Sequence, residues 1–212
     1  MNARLLAPLT AAQDGAALDL LDRAFAGDPT LSWYLFAERA GFAQRRRAYL
    51  RAYQRFHRTN GLPTLGAWQA GQLVGACYFS LTDPQPSASS VQAIGQSIRQ
   101  QCGADCLARL DHLLEAFDQQ LSHPDSARIE FIAVAPDRQG RGIGSLLLSQ
   151  TLEQLRQHGC QRVALETAEP RNLALYLRHG FIQTGQLTLA GLQQYYLQTD
   201  CSDSLGRFHP GS

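Results

Sequence analysis

The sequence predicts a mixed α/β (α+β) fold, in which helices flank one central, twisted and mostly antiparallel sheet of about six to seven strands. Two observations support this prediction. A strand, a helix and a second strand follow one another over 127–167, which predicts a parallel pair with a right-handed crossover. Hairpin patterns lie on both sides of this unit, around 64–81 and 181–199, and hairpin strands run antiparallel.

The N-terminal part predicts one strand and two helices. The stretch "ARLLAPL" is typical of a short strand, and Thr10 can cap a helix through "AALDLLDRAF". In that helix the apolar residues recur at helical spacing: Ala17, Leu20, Leu21, Ala24 and Phe25. After the aromatic, turn-interrupted segment "GDPTLSWYLFAE", the stretch "AQRRRAYLRAYQRFHR" predicts a long amphipathic helix that ends at Asn60-Gly61.

The middle of the chain predicts a hairpin and then an insertion. Two β-rich runs over 64–81 meet at Ala70-Gly71, which is a hairpin pattern. Residues 84–126 interrupt the succession of strands: "DPQPSASS" is typical of a loop, and Val91 to Leu121 is predicted to be helical. Apolar residues of that helical stretch have the spacing of a core face: Leu107, Leu110, Leu113, Leu114 and Phe117.

The C-terminal part predicts four strands and two helices, all within one domain that spans 1–212. We expect them in this order: strand Ala127–Ala135, a glycine turn, helix Gly142–His158, strand Arg162–Thr167, helix Asn172–His179, and strands around Phe181–Thr188 and Gln193–Thr199. Residues 201–212 are predicted to form a mobile tail.

Composition excludes several classes of protein. A net charge of +1 and a pI of about 7.7 argue against nucleic-acid and anionic-membrane binding, which need a surplus of positive charge. No apolar run approaches the roughly 20 residues of a membrane span. The five cysteines are an odd and thinly spread set, which favours a reducing compartment and a cytoplasmic location. The spacing of Cys102, Cys106 and His112 fits no usual zinc pattern, so we expect no metal site.

The stretch "FIAVAPDRQGRGIGSLLL", 131–148, is the most informative part of the chain. It places an alternating Gly140, Gly142 and Gly144 between an apolar strand and a leucine-rich helix. Backbone amides at a helix N-terminus are unpaired and attract anions, and glycine lets a phosphate approach them closely. Arg138 and Arg141 add charged donors beside them. The turn is therefore predicted to bind a phosphate group.

Other phosphate-binding and catalytic motifs fit this turn poorly. The spacing is G-x-G-x-G, whereas the dinucleotide fingerprint needs G-x-G-x-x-G. The chain contains no lysine, which excludes the P-loop. Ser145 has no G-x-S-x-G frame and so is not a hydrolase nucleophile. A tight turn with no ligand remains an alternative.

The segment Gln139–Gly144 has the Q-x-x-G-x-G form found in the GNAT superfamily of acyl-CoA-dependent N-acyltransferases, which this chain resembles. The resemblance includes "IEFIAV" and "AP" before the turn, "RVALET", and the block "NLALYLRHGF", and it covers about a third of the chain. The stretch "AFAGDP" and the helical insertion are similar to the puromycin N-acetyltransferase-like subgroup. The resemblance implies the GNAT fold, with the insertion before the cofactor-binding strand, and acetyl-CoA as co-substrate.

The resemblance also implies which residues bind coenzyme A. In the family a bulge splays the strand before the turn from its parallel neighbour, and the freed backbone binds the pantetheine arm; here this role falls to Ile132, Ala133 and Val134. Asn172 is expected to contact the same arm, and Arg138 to lie near the adenosine phosphates. The backbone amides expected to bind the pyrophosphate belong to Gln139, Gly140, Arg141, Gly142, Ile143, Gly144 and Ser145.

Acyl transfer to an amine needs a base for the amine and an acid for the leaving thiolate. Tyr176 lies four residues beyond Asn172 on one helix face, and the matching tyrosine of the family is the general acid that points at the sulfur. Strand alternation predicts Arg128, Glu130 and Ile132 on one face of the strand, and the resemblance makes Glu130 the candidate base. The alternatives are a purely packed Tyr176, an ion pair of Glu130 with Arg128 or Arg162, and Glu166 as a weaker base.

These residues predict an N-acetyltransferase in which the primary amine of a small molecule or peptide attacks acetyl-CoA directly, in a ternary complex. The resemblance is also consistent with a homodimer. Two other hypotheses are a catalytically weak CoA-binding regulatory or sensory module and an NAD-dependent oxidoreductase. Aromatic residues that can wall the acceptor pocket, or simply form core, are Trp33, Tyr34, Phe36, Tyr49 and Tyr53.

Overall fold

The computed structural model describes residues 4–123 and 125–201. Its centre is a seven-stranded sheet with the order β1-β2-β3-β4-β5-β7-β6. Among the described strands β4 and β5 form the one parallel pair, and every other pair is antiparallel, which confirms the predicted mixed sheet. The strands are β1 (Arg4–Ala7), β2 (Thr64–Gln69), β3 (Gln72–Ser80), β4 (Ala127–Val134), β5 (Arg162–Thr167), β6 (Ile182–Leu189) and β7 (Leu192–Asp200).

Seven α-helices flank the sheet in the described part of the chain. The segment expected to be interrupted by turns contains a short helix, because Asp28 caps it and Pro29 opens it. The insertion contains two helices instead of one continuous stretch, because the chain turns at Gly103 with φ of 105°. The helices are α1 (Asp14–Ala24), α2 (Pro29–Tyr34), α3 (Phe42–Thr59), α4 (Ala88–Cys102), α5 (Ala104–Gln120), α6 (Ile143–Gln157) and α7 (Pro170–Arg178). Of the predicted tail, 201–212, all but Cys201 lies outside the described residues.

A β-bulge in β4 changes which residues share a face of the sheet. Tyr78 pairs with Phe131 and Phe79 pairs with Ile129, so Glu130 has no partner on β3. An extra residue reverses the alternation of side chains beyond it. Ile129 accordingly packs in the core beneath α6, whereas Phe131 packs in the core beneath α1 and α3.

The bulge overturns the prediction that strand alternation places Arg128, Glu130 and Ile132 on one face. Ile132 packs against the core cluster that contains Ile129. The Arg128 guanidinium lies over the Phe117 ring of α5 on the other side of the sheet, and Glu130 reaches α3 on that same side. A simple period of two fails here because the bulge adds one residue to β4.

The parallel strands pair over a short distance. Ala127 pairs with Val163 and Arg128 with Ala164, and the described residues of β4 beyond Arg128 make no further ladder pairs with β5. The edge of β4 that faces β5 is therefore open at the end that leads into the glycine turn. This opening, between helices on both faces of the sheet, is where the candidate site lies.

Candidate active site

A cavity of about 100 Å³ lies where β4 separates from β5. Side chains and backbone of α2, α3, α5, α7 and the neighbouring strands form its walls. Four of the residues predicted to be catalytic or to bind the cofactor line it: Glu130, Ile132, Asn172 and Tyr176. The structure thus brings together residues of β4 and α7 that are about 40 positions apart in the chain.

The glycine turn lies between β4 and α6 and has the geometry of an anion site. Gly140 and Gly142 have φ of 72° and 78°, in the left-handed region that favours glycine. Gly142 is the N-cap of α6, and the first helical hydrogen bond runs from the Leu146 amide to its carbonyl at 3.0 Å. The amides of Ile143, Gly144 and Ser145 therefore have no helical acceptor and remain available to a ligand.

The surroundings of the turn leave space for a phosphate group. A Cβ added at Gly140 would meet nothing within 4 Å. The side chain of Ile143 is 1% exposed and belongs to the core, so that residue offers its backbone alone. Arg138 forms an ion pair with Asp137 at 3.1 Å, and the exposed Arg141 lies in the same turn. These features fit the pyrophosphate of coenzyme A.

The other predicted cofactor residues are arranged as follows. Ala133 is buried beneath α1 and α3, while Ile132 and Val134 are partly buried towards α6. The amide nitrogen of the Gln139 side chain donates to the Val134 carbonyl at 3.3 Å, which ties the turn to the strand. Ser145 bonds through Oγ to His179 Nε2 at 2.8 Å and so connects the start of α6 to the end of α7.

Tyr176 and Asn172 occupy one face of α7, as their spacing predicts, and both line the cavity. The Tyr176 side chain is 4% exposed and packs edge-on against Phe181. Burial raises the pKa of Tyr176, so its hydroxyl carries a proton at neutral pH. The residue is therefore a packed aromatic that also lines the cavity, and its hydroxyl is protonated.

Glu130 makes a contact that the sequence did not predict. Its carboxylate Oε2 lies 3.1 Å from Nε2 of the buried His57 on α3. Burial alone would raise the pKa of Glu130, but His57, Arg128 and Ser80 together outweigh burial and lower it. The direct partner of Glu130 is thus His57, while Arg128 pairs with Glu166 at 3.0 Å and Arg162 pairs with Asp200 at 3.2 Å.

A further carboxylate, Asp28, lines the cavity and was missed in the sequence. Burial, reinforced by Glu166 and Glu169, raises its pKa to about 6 although two backbone amides oppose the rise. Burial also raises the pKa of Glu166, with Arg128 opposing. The available signal was the Asp-Pro pair in "GDPT", which indicates a helix start but does not reveal which cavity the helix will border.

The predicted acceptor aromatics divide into two groups. Tyr34, Tyr49 and Tyr53 line the cavity and contact one another, with ring centroids 5.0 Å apart at each step. Trp33 and Phe36 lie elsewhere and enclose the Arg109 guanidinium, which is 4.6 Å and 3.7 Å from their ring centroids.

Residues 4–123 and 125–201 contain no group of three or more His, Cys, Asp and Glu side chains that could hold a metal ion. No helix within these ranges is long and apolar enough to cross a membrane.

Comparison with known proteins identifies related folds. A model described as the acetyltransferase (GNAT) family matches residues 28–181, more than two thirds of the chain. No curated protein matches. Among solved structures, a histone acetyltransferase HPA2 and related acetyltransferase from Corynebacterium glutamicum is 20% identical, with a TM-score of 0.64 and coverage of 94% of this chain and 96% of that one.

Two other structures are similar in fold. The ribosomal-protein-S18-alanine N-acetyltransferase of Escherichia coli has 15% identity and a TM-score of 0.56, and the match covers 98% of this chain and 99% of that one. A candidate acetyltransferase of Salmonella typhimurium, solved with its cofactor acetyl-CoA, has 16% identity and a TM-score of 0.58, with coverage of 96% and 97%. At these identities the likeness concerns the fold alone.

Proposed function

Because the chain belongs to the GNAT family of acetyltransferases, we propose that it transfers an acetyl group from acetyl-CoA to the primary amine of a small molecule or peptide. The observation that carries this proposal is the shared cavity: Tyr176 and Asn172 of α7 face the open edge of β4. That edge leads directly into the glycine turn, so one ligand can reach the turn and the cavity together.

Acetyl-CoA supplies an activated thioester, so no covalent enzyme intermediate is needed and the amine attacks directly in a ternary complex. The open edge of β4 binds the pantetheine arm through Ile132, Ala133 and Val134, with Asn172 beside it. Tyr176 holds a proton at Oη and donates it to the departing sulfur. The amides that follow Gly142 bind the pyrophosphate, and Arg138 and Arg141 add positive charge there.

The cavity walls favour an amine with a narrow apolar end. The cavity has a volume of about 100 Å³, which admits a few non-hydrogen atoms, and its lining includes Tyr34, Tyr49 and Tyr53. The carboxylates that also line the cavity, Asp28, Glu130 and Glu166, favour a cationic ammonium group over a neutral or acidic acceptor. We also propose a cytoplasmic location, which the free state of all five buried cysteines supports.

A thermal-shift series with acetyl-CoA, coenzyme A, NAD and ATP tests the cofactor. A ligand present at 100 times its Kd stabilises the folded state by about 2.7 kcal/mol, so acetyl-CoA and coenzyme A should raise Tm by several degrees. NAD and ATP should leave Tm unchanged. Stabilisation by NAD in place of the two CoA compounds would overturn the proposal and favour an oxidoreductase. Thiol release in the presence of an amine panel then tests the transfer itself.

A further inference from the structure

Three carboxylates line the cavity, and they differ in their partners. Glu130 is bonded to His57, and Glu166 is paired with Arg128. Asp28 has backbone donors instead: its Oδ1 accepts a hydrogen bond from the Leu31 amide at 2.8 Å, and a hydrogen bond from the Thr30 amide also lowers its pKa. In the ranges that the structure describes, no arginine or histidine forms an ion pair with Asp28. Asp28 is thus the cavity carboxylate whose charge no cationic side chain balances.

Asp28 holds its position because it caps a helix, whether or not a ligand occupies the cavity. It caps α2, and its φ of −66° and ψ of 125° are the extended values of an N-cap residue. Its Oδ1 accepts from the Leu31 amide, and a carboxylate has enough lone pairs to accept from a further donor as well. The side chain borders the same cavity as Tyr176, and its charge acts on the Tyr176 hydroxyl. An amine bound between them would have a base on one side and an acid on the other.

We propose that Asp28 is the catalytic base that takes a proton from the bound ammonium group, an inference that rests on the proposed acetyl transfer. The ammonium gives one proton to Asp28, and the neutral nitrogen attacks the thioester carbonyl carbon. The C–N bond forms and the C–S bond breaks with its electron pair on sulfur, which receives a proton from Tyr176. The new amide nitrogen loses its surplus proton, which restores Tyr176, and Asp28 releases its proton to solvent.

The charges around Asp28 fit this role better than those around Glu130. A base is most effective when its pKa lies near the working pH, and the pKa of Asp28 is raised to about 6, whereas that of Glu130 is lowered. The titratable and charged groups that border the same cavity or act on Asp28 are Tyr34 on α2, Tyr49 and Tyr53 on α3, Arg128 and Glu130 on β4, Glu166 on β5, Glu169 after it, and Tyr176 on α7.

Asp28 can also be a helix cap and nothing more, and Asp28→Asn separates the two roles. Asparagine caps helices about as well as aspartate but cannot accept the proton. The raised pKa of Asp28 means that its ionised form is less stable in the folded state than in the unfolded chain at neutral pH. Removal of that charge should therefore leave Tm unchanged or higher, so a loss of activity would not reflect unfolding.

The experiment measures kcat and kcat/KM from pH 5 to 9 by thiol release from acetyl-CoA, with n-butylamine, benzylamine and spermidine as acceptors. It compares the wild type with Asp28→Asn and Glu130→Gln, and with Asp105→Asn, an exposed surface carboxylate paired with Arg39, as the matched control. We expect the wild-type rate to rise with pH through about 6, equally for each amine, because that limb belongs to the enzyme. Asp28→Asn should lose this limb and about 100-fold in kcat.

Each result has a distinct meaning. The assignment of Asp28 would be overturned if Asp28→Asn kept both the rise in rate with pH through about 6 and a kcat within threefold of the wild type. It would also be overturned if that rise disappeared in Glu130→Gln alone. Asp105→Asn should match the wild type throughout. Wild-type protein that binds acetyl-CoA but acetylates none of the three amines would instead contradict the proposed function, and the assignment of Asp28 with it.

Discussion

The sharpest test of the catalytic assignment is Tyr176→Phe, because it removes one hydroxyl and keeps the ring. The ring is 4% exposed and contacts Phe181 with centroids 6.0 Å apart, and phenylalanine preserves this packing. General acid transfer contributes about 10²–10⁴-fold to a rate, which corresponds to roughly 3–5.5 kcal/mol of barrier. We therefore expect kcat to fall by about 10²–10⁴-fold, with coenzyme A affinity nearly unchanged.

The assay combines thiol release with calorimetric titration of coenzyme A. Tyr196→Phe is the matched control: Tyr196 is fully buried, its hydroxyl has no hydrogen-bond partner among the described residues, and it lies outside the cavity walls. Loss of that unsatisfied hydroxyl should leave kcat intact and stability equal or higher by about 1 kcal/mol. Because burial raises the pKa of Tyr176, wild-type kcat should also show no alkaline decline up to about pH 9.5.

Two results would refute this reasoning. If Tyr176→Phe kept kcat within threefold of the wild type, the hydroxyl would not be the acid, and the packing of the ring would be its whole role. If kcat and coenzyme A affinity fell together, the residue would act in cofactor binding and not in proton transfer.

Two further predictions follow from the turn and from the buried histidine. Gly142→Ala should lower the free energy of unfolding by about 1 kcal/mol, because of its φ of 78°, and should weaken coenzyme A binding at least tenfold in calorimetric titration. Gly159 has φ of 77° and lies just beyond the other end of α6, so Gly159→Ala should lower the free energy of unfolding equally but leave coenzyme A affinity unchanged. His57→Ala should lower the free energy of unfolding by about 3 kcal/mol at pH 7, because it strands the Glu130 carboxylate. In the wild type, the stability that ionised Glu130 contributes is present above the pKa of about 4.3 that the group has in the unfolded chain, and it is lost as the pH falls through the lowered pKa of the folded state. Urea titrations at pH 7 and pH 3.5 should therefore show a fall in the free energy of unfolding towards acid pH for the wild type, and the loss of that fall in His57→Ala. Equal stability of His57→Ala and wild type at pH 7, or equal affinity of the two glycine variants, would contradict these expectations.

Local sequence patterns were sufficient for most of the elements and for the position of the glycine turn. Hairpins, the crossover helix and the turn depend on residues within about 20 positions of one another, where periodicity and glycine placement act directly. The same holds for Asn172 and Tyr176, whose shared face follows from the geometry of one helix. Two local features were not predicted. The helix break at Gly103 lies between two strongly helical stretches, and helix α2 lies in an aromatic segment in which the helix cap at Asp28 was not recognised.

The partners of the charged groups could not be read from the chain. His57 and Glu130 are 73 residues apart, and Arg128 and Glu166 are 38 apart. The family resemblance implied a bulge in this strand, but its place at Glu130 could not be read from the residues, because it is defined by the register between β3 and β4 and not by either strand alone.

By itself the sequence determined a mixed sheet, a glycine turn before a helix, and a tyrosine and an asparagine on one face of another helix, since each of these depends on short-range spacing. Only the tertiary structure decided which carboxylates meet at the cavity and how strongly each holds its proton. Burial and neighbouring charge set a pKa, and both arise when distant segments pack together.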